Sequence, residues 1–448
     1  MSRLPTVFVA VSASALLTLA ACATEDANGP ASDAQASDGA VVAFTGARVI
    51  DGTGTEPIED ATLVIRDGVV QAVGASASVQ VPEGATVVDA SGKTITPGLI
   101  NAHAHVSFSD ENPSPPAEQL MDQLRLYADY GITTVYALGS DGVEAVNVRD
   151  AQEQSPGDGA RLYTSGPGVT AVTPEEGRQK VSDLAAQRVN IVKTRLDLEE
   201  GARDRQAPEV YQAIIDEAHS HGLRVAVHMF YLEDAKNLVE AGADILAHSI
   251  RDVDVDQAFI DELIEQDIGY IATLTRDLSV FVYETTPAFF QDPFFLKHVD
   301  AYRDQMTRVS DPALMERTLN DTAPRGAQEI KVALEQANRN LKLLVDGGVA
   351  VAFGTDTGAS VGRWQGYFEH TEMELMAEAG LTPMQILVTA TSGAAKVMEL
   401  DNLLGTLEPG KAADLLVLSD NPLADIRNMR TIESVWIAGR RQAAADMN

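Results

Sequence analysis

From residue 97 to residue 400 the chain alternates eight times between a short apolar run and a helix-like pattern, and few architectures accept that rhythm. The apolar runs are Gly98–His105, Gly131–Leu138, Arg161–Gly166, Val189–Arg195, Arg224–Met229, Ile245–Ser249, Tyr270–Leu274 and Val349–Thr355. Four of the stretches between them, Pro116–Tyr130, Pro208–His221, Leu232–Ala241 and Asp256–Gln266, repeat apolar residues at helical spacing. Strands buried on both faces read as continuous apolar runs, and parallel neighbours need a crossover. The pattern therefore predicts an α/β fold built on a (β/α)8 TIM barrel over residues 97–404. One stretch breaks the rhythm. Arg276–Arg339 is an insertion, predicted helical in its second half. Its aromatic residues Phe281, Tyr283, Phe289, Phe290, Phe294 and Phe295 either seat a long loop or cap the barrel mouth.

The flanks read differently. Residues 41–96 are short β-type runs separated by turn pairs such as Asp51-Gly52, Asp67-Gly68 and Ser91-Gly92. A unit of that size is small for a core of its own. The C-terminal segment offers further turn and strand at Gly405–Gly410, Ala413–Leu418 and Ile432–Gly439, so residues 41–96 and 405–448 are predicted to form one small β-sandwich domain. Residues 1–22 read as a signal peptide, with Arg3 before an apolar stretch from Val7 to Leu19. The closing Leu19-Ala20-Ala21-Cys22 is similar to a bacterial lipobox, and Cys22 is the only cysteine, which rules out a disulfide within the chain. The expectation is an exported lipoprotein of a bacterium, periplasmic or outer-membrane-anchored, that meets the membrane only through lipid on Cys22. A plain secretory signal is the alternative. Residues 23–40, rich in Ala, Ser, Asp and Gly, read as a flexible tether. A net charge of −33 argues against a nucleic-acid partner, because phosphate repels such a surface.

In a barrel of this kind chemistry sits at the C-terminal mouth of the strands. His103 and His105 end the first run, and alternation places both rings on one face. Alone, such a pair is as consistent with two ordinary histidines as with a metal site. Further polar residues end other apolar runs: Lys193 near the end of the fourth, His228 the fifth, His248 the sixth and Asp356 the eighth. Six such residues at one rim point to a functional centre rather than to coincidence.

This constellation resembles the amidohydrolase superfamily of metal-dependent hydrolases from about residue 41 to about residue 440. The matching pieces include Ile95-Thr96-Pro97-Gly98-Leu99-Ile100, Gly354-Thr355-Asp356-Thr357-Gly358 and Glu408-Pro409-Gly410-Lys411-Ala412-Ala413-Asp414-Leu415. Within it, His370-Thr371-Glu372-Met373-Glu374-Leu375 followed by Ala379-Gly380-Leu381-Thr382-Pro383 resembles the imidazolonepropionase-like and Xaa-Pro dipeptidase-like group. The resemblance implies two divalent ions, Zn2+ first among them. His103, His105 and Asp356 would hold the buried ion and His228 and His248 the outer one, with Lys193, carboxylated by CO2, bridging both. Arg195 departs from simplicity, since it shares a strand face with Lys193. Asp356, with His248 beside it, would serve catalysis as general base and then acid. The implied reaction is hydrolysis of an amide-type C–N bond by a metal-bridging hydroxide, in a small-molecule substrate such as a dipeptide or an N-acyl amino acid. Tyr231, Arg276, Arg363 and His370 follow strands five, seven and eight and are candidates to grip a substrate carboxylate. Two other readings stand beside this one: a mononuclear cyclic-amide hydrolase or deaminase, and a non-catalytic binding lipoprotein. A homo-oligomer is left open.

Overall fold

The computed structural model describes residues 41–139, 142–154, 158–196 and 205–443. The signal peptide, the tether and Cys22 lie outside the described residues. Among the described residues no helix is long and apolar enough to cross a membrane.

The N-terminal segment supplies five strands: β1 (Val41–Val49), β2 (Ile58–Arg66), β3 (Val69–Ala75), β4 (Thr86–Asp89) and β5 (Thr94–Pro97). Eight strands follow, each within or next to a run marked in the sequence: β6 (Leu99–Ala104), β7 (Ile132–Ala137), β8 (Arg161–Thr164), β9 (Val192–Arg195), β10 (Val225–His228), β11 (Ile245–Ala247), β12 (Gly269–Ile271) and β13 (Val351–Ala352). The last three are β14 (Leu415–Leu418), β15 (Ile432–Ile437) and β16 (Arg440–Arg441).

Strands β6 to β13 are parallel and pair in two arcs, β6-β7-β8 and β13-β12-β11-β10-β9. Backbone hydrogen bonds run across both gaps between the arcs. Ala102 N donates to Phe353 O at 2.8 Å and Thr355 N to His103 O at 3.0 Å, while Asn190 N donates to Thr164 O at 2.9 Å. The fold is TIM-barrel-like, with two arcs of parallel strands in place of one unbroken ladder. Helices cross between them where the periodicity places them: Pro116–Asp129, Pro208–Ser220, Leu232–Glu240 and Gln257–Glu265. The first two open with proline at the first helical position, where the missing N–H costs no hydrogen bond.

The flanking segments do join, because β14 pairs antiparallel with β5, and hydrogen bonds connect all eight of their strands into one sheet. The connection runs through β1, whose second edge serves two partners: Val42–Thr45 pair with β4, and Arg48 and Val49 pair with β5. β1 and β15 stand three places apart in that sheet yet bring their side chains into contact, so the sheet curls around a shared core. Phe44, Leu63, Ile95, Leu415 and Trp436 fill its core, with the Phe44 and Trp436 rings 5.1 Å apart. The insertion, in turn, is helical almost throughout: Leu274–Phe281, Pro293–Leu296, Val299–Val309, Pro312–Asn320 and Ala327–Gly347. Two of these are opened by the pairs Asp292-Pro293 and Asp311-Pro312, whose aspartates cap the helix start. The short helices carry too few turns to show a periodicity. The aromatic cluster seats the insertion: Phe295 is fully buried between Tyr302, Trp364 and Tyr367, with ring centroids 4.8, 5.2 and 5.0 Å away.

Candidate metal centre

At the C-terminal ends of these strands the rim residues converge. His103, His248 and Asp356 are buried, and each offers a ligand atom within 4.8 Å of the others. Asp356 Oδ1 lies 2.7 Å from His105 Nε2 and 3.4 Å from His103 Nε2. The His248 ring stands 4.6 Å from that of His103 and 4.3 Å from that of His228, centroid to centroid. Lys193 is buried on β9, close enough for its charge to act on both His103 and His248. The structure thus brings together the six residues singled out at the rim, and His248 stands with His103 and Asp356 as well as with His228.

The backbone at this rim is unusual. His248, Thr273 and Asp356 all carry positive φ, at 72°, 51° and 61°, in the left-handed region that non-glycine residues rarely adopt. Each ends or follows a strand, so the left-handed residue is where the chain leaves the barrel and aims its side chain at the centre. Gly354 has the opposite task. A Cβ there would stand 2.9 Å from His103 Cβ and closer still to Ile271, so only glycine lets strand eight lie against the histidine.

A further set of groups orients the ligands. His105 Nδ1 lies 2.8 Å from Gly139 O, an acceptor that favours the N–H on Nδ1 and so, with an ion bound, the lone pair on Nε2. His248 Nδ1 lies 2.7 Å from Thr273 Oγ1, and Asn101 Oδ1 accepts the backbone N–H of His103 at 3.0 Å.

Electrostatics set the protonation states. Burial drives the His103 and His248 imidazoles well below their usual range, helped for both by the positive charge of Lys193, so both are neutral near pH 7. Burial acts to raise the Asp356 carboxyl, but Arg363 and the histidine contacts outweigh it and hold the group well below the usual carboxylate range. Neutral imidazoles beside an ionised carboxylate are the state a metal requires of its ligands, and this nitrogen-and-oxygen donor set suits a borderline divalent ion such as zinc. The residues fit the ion.

The four substrate-grip candidates separate. Arg363 donates through Nη1 to Asp356 Oδ2 and through Nε to Ser279 Oγ at 3.1 Å, which makes it a partner of the cluster. Arg276 is buried in the first turn of Leu274–Phe281 and donates to Asp277 Oδ1 at 3.0 Å. Tyr231 opens the helix after β10, with the Arg205 and Arg325 guanidiniums 5.2 and 5.7 Å from its ring. His370 is not brought to the cluster: its Nε2 meets Tyr130 O at 2.8 Å and its ring packs on Phe294 at 4.8 Å. Several residues at or behind the rim escaped the sequence reading: Asn101, Thr273, the buried ion pair Arg251–Asp277, and Glu369 and Glu372 on the helix Tyr367–Glu378. Asn101 alone left a signal, since it shares the strand face of His103 and His105.

Parallel strands with histidines and a carboxylate gathered at their C-terminal ends define a hydrolase of the metal-dependent type. The chain belongs to the amidohydrolase family, whose family model matches residues 94–441. Among curated relatives it is 23% identical to the enamidase of Eubacterium barkeri, over 85% of this chain and 86% of that one. It is 25% identical to the imidazolonepropionase of Brevibacillus brevis, over 80% and 84% respectively. Among solved structures it resembles a prolidase-like protein from Bifidobacterium longum at 26% identity and a TM-score of 0.72, covering 90% of this chain and 94% of that one. A Xaa-Pro dipeptidase with methionine in its active site shares the fold at 20% identity and a TM-score of 0.68, with 90% and 99% covered.

Proposed function

We propose that this amidohydrolase cleaves an amide-type C–N bond in a dipeptide or an N-acyl amino acid, using two divalent ions, zinc first among them. His103, His105, His228, His248 and Asp356 would hold the ions, and a carboxylated Lys193 would bridge them. The observation that carries the reading is the buried convergence of His103, His248 and Asp356. When bound, the ions would supply Lewis acidity and make a water acidic enough to attack near pH 7. The protein's own part is proton handling. Arg363 engages Asp356 Oδ2 while Oδ1 faces both histidines, which holds the carboxylate at the centre, where Asp356 would take a proton from the attacking water and return it to the leaving nitrogen. The prolidase-like neighbours support a dipeptide-sized substrate.

A second reading, a mononuclear cyclic-amide hydrolase, is favoured by the imidazolonepropionase relatives and by a three-residue cluster sufficient for one ion. The buried Lys193 beside that cluster favours the first. Metal content of the purified protein separates the two, at two ions per chain against one. A screen of dipeptides and N-acyl amino acids on the zinc-loaded protein tests the substrate class, and turnover of cyclic amides alone would reverse the order. The proposal includes export and a lipid on Cys22. Cys22→Ala should release the protein from the membrane fraction or block its processing, and unchanged lipid labelling would refute the anchor.

A further inference from the structure

The helix Tyr367–Glu378 lies behind the centre and contributes none of its six rim residues, yet it carries two fully buried carboxyl groups one turn apart, Glu369 and Glu372. Burying such groups is costly: burial acts to raise both carboxyls, and the hydrogen bonds each receives act the other way. Their hydrogen bonds lead toward the centre along two separate routes.

Glu372 receives the N–H groups of Leu274 and Thr275 at 2.7 and 2.6 Å, on Oε1 and Oε2 respectively, and the Thr275 hydroxyl at 2.7 Å on Oε2. These are the first two N–H groups of the helix Leu274–Phe281, which the preceding residue, Thr273, cannot cap with its own side chain. That side chain is turned the other way, toward His248 Nδ1 at 2.7 Å. Glu372 therefore does the capping that frees Thr273 to hold the histidine, and it fixes the left-handed turn from which Thr273 reaches. Glu369 serves the opposite side. Its Oε1 accepts from Asn101 Nδ2 at 2.7 Å, Thr355 Oγ1 at 2.9 Å and Thr357 Oγ1 at 2.6 Å. Those threonines flank Asp356, and Asn101 holds the backbone N–H of His103. One carboxyl oxygen thus ties β6 to the segment that follows β13, where each delivers a ligand. Glu369 Oε2 is buried with no hydrogen-bond partner among the described residues.

We propose that this helix is the jig of the metal centre, with Glu372 the positioning residue for His248, through Thr273, and Glu369 the positioning residue for His103 and Asp356. The inference rests on the metal reading above. It makes an uncommon demand: one substitution, Glu→Gln, should be damaging at one site and tolerated at its neighbour. In Glu372→Gln, whichever way the amide is turned, its NH2 faces the N–H of Leu274 or of Thr275. In Glu369→Gln, the amide oxygen keeps all three donors and the NH2 takes the place of the oxygen that has no partner.

The experiment is zinc affinity, measured by competition with a chromophoric chelator on the full chain, with circular dichroism showing each variant folded at the assay temperature. Groups that orient metal ligands are worth on the order of 10–100-fold in affinity. Glu372→Gln, Thr273→Val and Glu369→Leu should each lose about that much, while Glu369→Gln and Thr273→Ser stay within about threefold of wild type. Combining Glu372→Gln with Thr273→Val should cost no more than the worse single variant, because both break one route. Should Glu372→Gln fail to fold, the contrast between Thr273→Val and Thr273→Ser still decides that route, and Glu369→Gln against Glu369→Leu the other. Additive losses, or wild-type affinity in Glu372→Gln or Glu369→Leu, would overturn the jig while leaving the metal centre standing. A wild-type protein that takes up no zinc would instead overturn the metal reading itself.

Discussion

His105 and Asp356, 251 residues apart in the chain, face each other with Nε2 2.7 Å from Oδ1, and Arg363 engages the second oxygen of the same carboxylate. The carboxylate that is to move a proton is therefore held between a neutralising guanidinium and the donor cluster. Its ionised state depends on that guanidinium.

Replacing Arg363 with methionine tests the dependence. Removing the cation lets burial prevail, so the Asp356 carboxyl rises, and less of it is ionised at a given mildly acidic pH. The acid limb of the pH profile for amide hydrolysis should move toward neutral pH relative to wild type. A profile that moves the other way, or stays put, would show that Arg363 does not set the charge of this group.

Lys193 decides how many ions the centre holds. As a carboxylated bridge, its loss removes two ligand oxygens and leaves two cations repelling each other. Lys193→Ala should then lose one or both ions and most turnover while its circular dichroism stays that of wild type, and added acetate or propionate should restore part of the activity. Two ions and full turnover in the variant would promote the mononuclear reading.

His370 gives a stability prediction independent of any ion. Burial holds its imidazole down to about 3, against the usual 6.5. The unfolded chain takes up a proton as pH falls below about 6.5 and the folded chain does not, so stability present at neutral pH is lost on acidification. Between pH 7 and pH 5 this group alone should cost about 2 kcal/mol. Urea unfolding of wild type and His370→Gln at the two pH values reads it directly. Gln can still donate to Tyr130 O, and the variant should lose less stability on acidification by about that amount. Equal losses in the two proteins would refute it.

What the sequence made legible follows from what the environment forces on it. A strand buried on both faces has to be apolar, so each polar residue ending such a run stood out, and Lys193, His228, His248 and Asp356 could be found one by one. Position along a helix is less telling. His370 drew notice as a histidine, yet its partners are Tyr130 and Phe294. Glu369 and Glu372 gave no sign of a role at the centre, because their partners Asn101 and Thr275 lie far away in sequence. The strands of both flanks could be read as strands, but how they connect turned on the register of β1 against both β4 and β5, and register is a property of pairs that no run of residues displays alone.

The joined sheet carries its own test. Ending the chain after Leu404 removes β14, β15 and β16 and bares the edge of β5 together with the apolar faces of Phe44 and Ile95. The truncated protein should aggregate or lose its cooperative unfolding transition. A soluble, cooperatively unfolding truncation would mean that the N-terminal strands stand on their own.

The pairing of β5 with β14 also imposes an order in time. A ribosome delivers β5 and the two histidines of β6 early, and Asp356 and then β14 near the end of its work. Until Asp356 emerges the centre lacks its carboxylate, and until β14 follows the strand leading into the first histidine has a bare edge. The protein is therefore assembled by closure rather than by accretion.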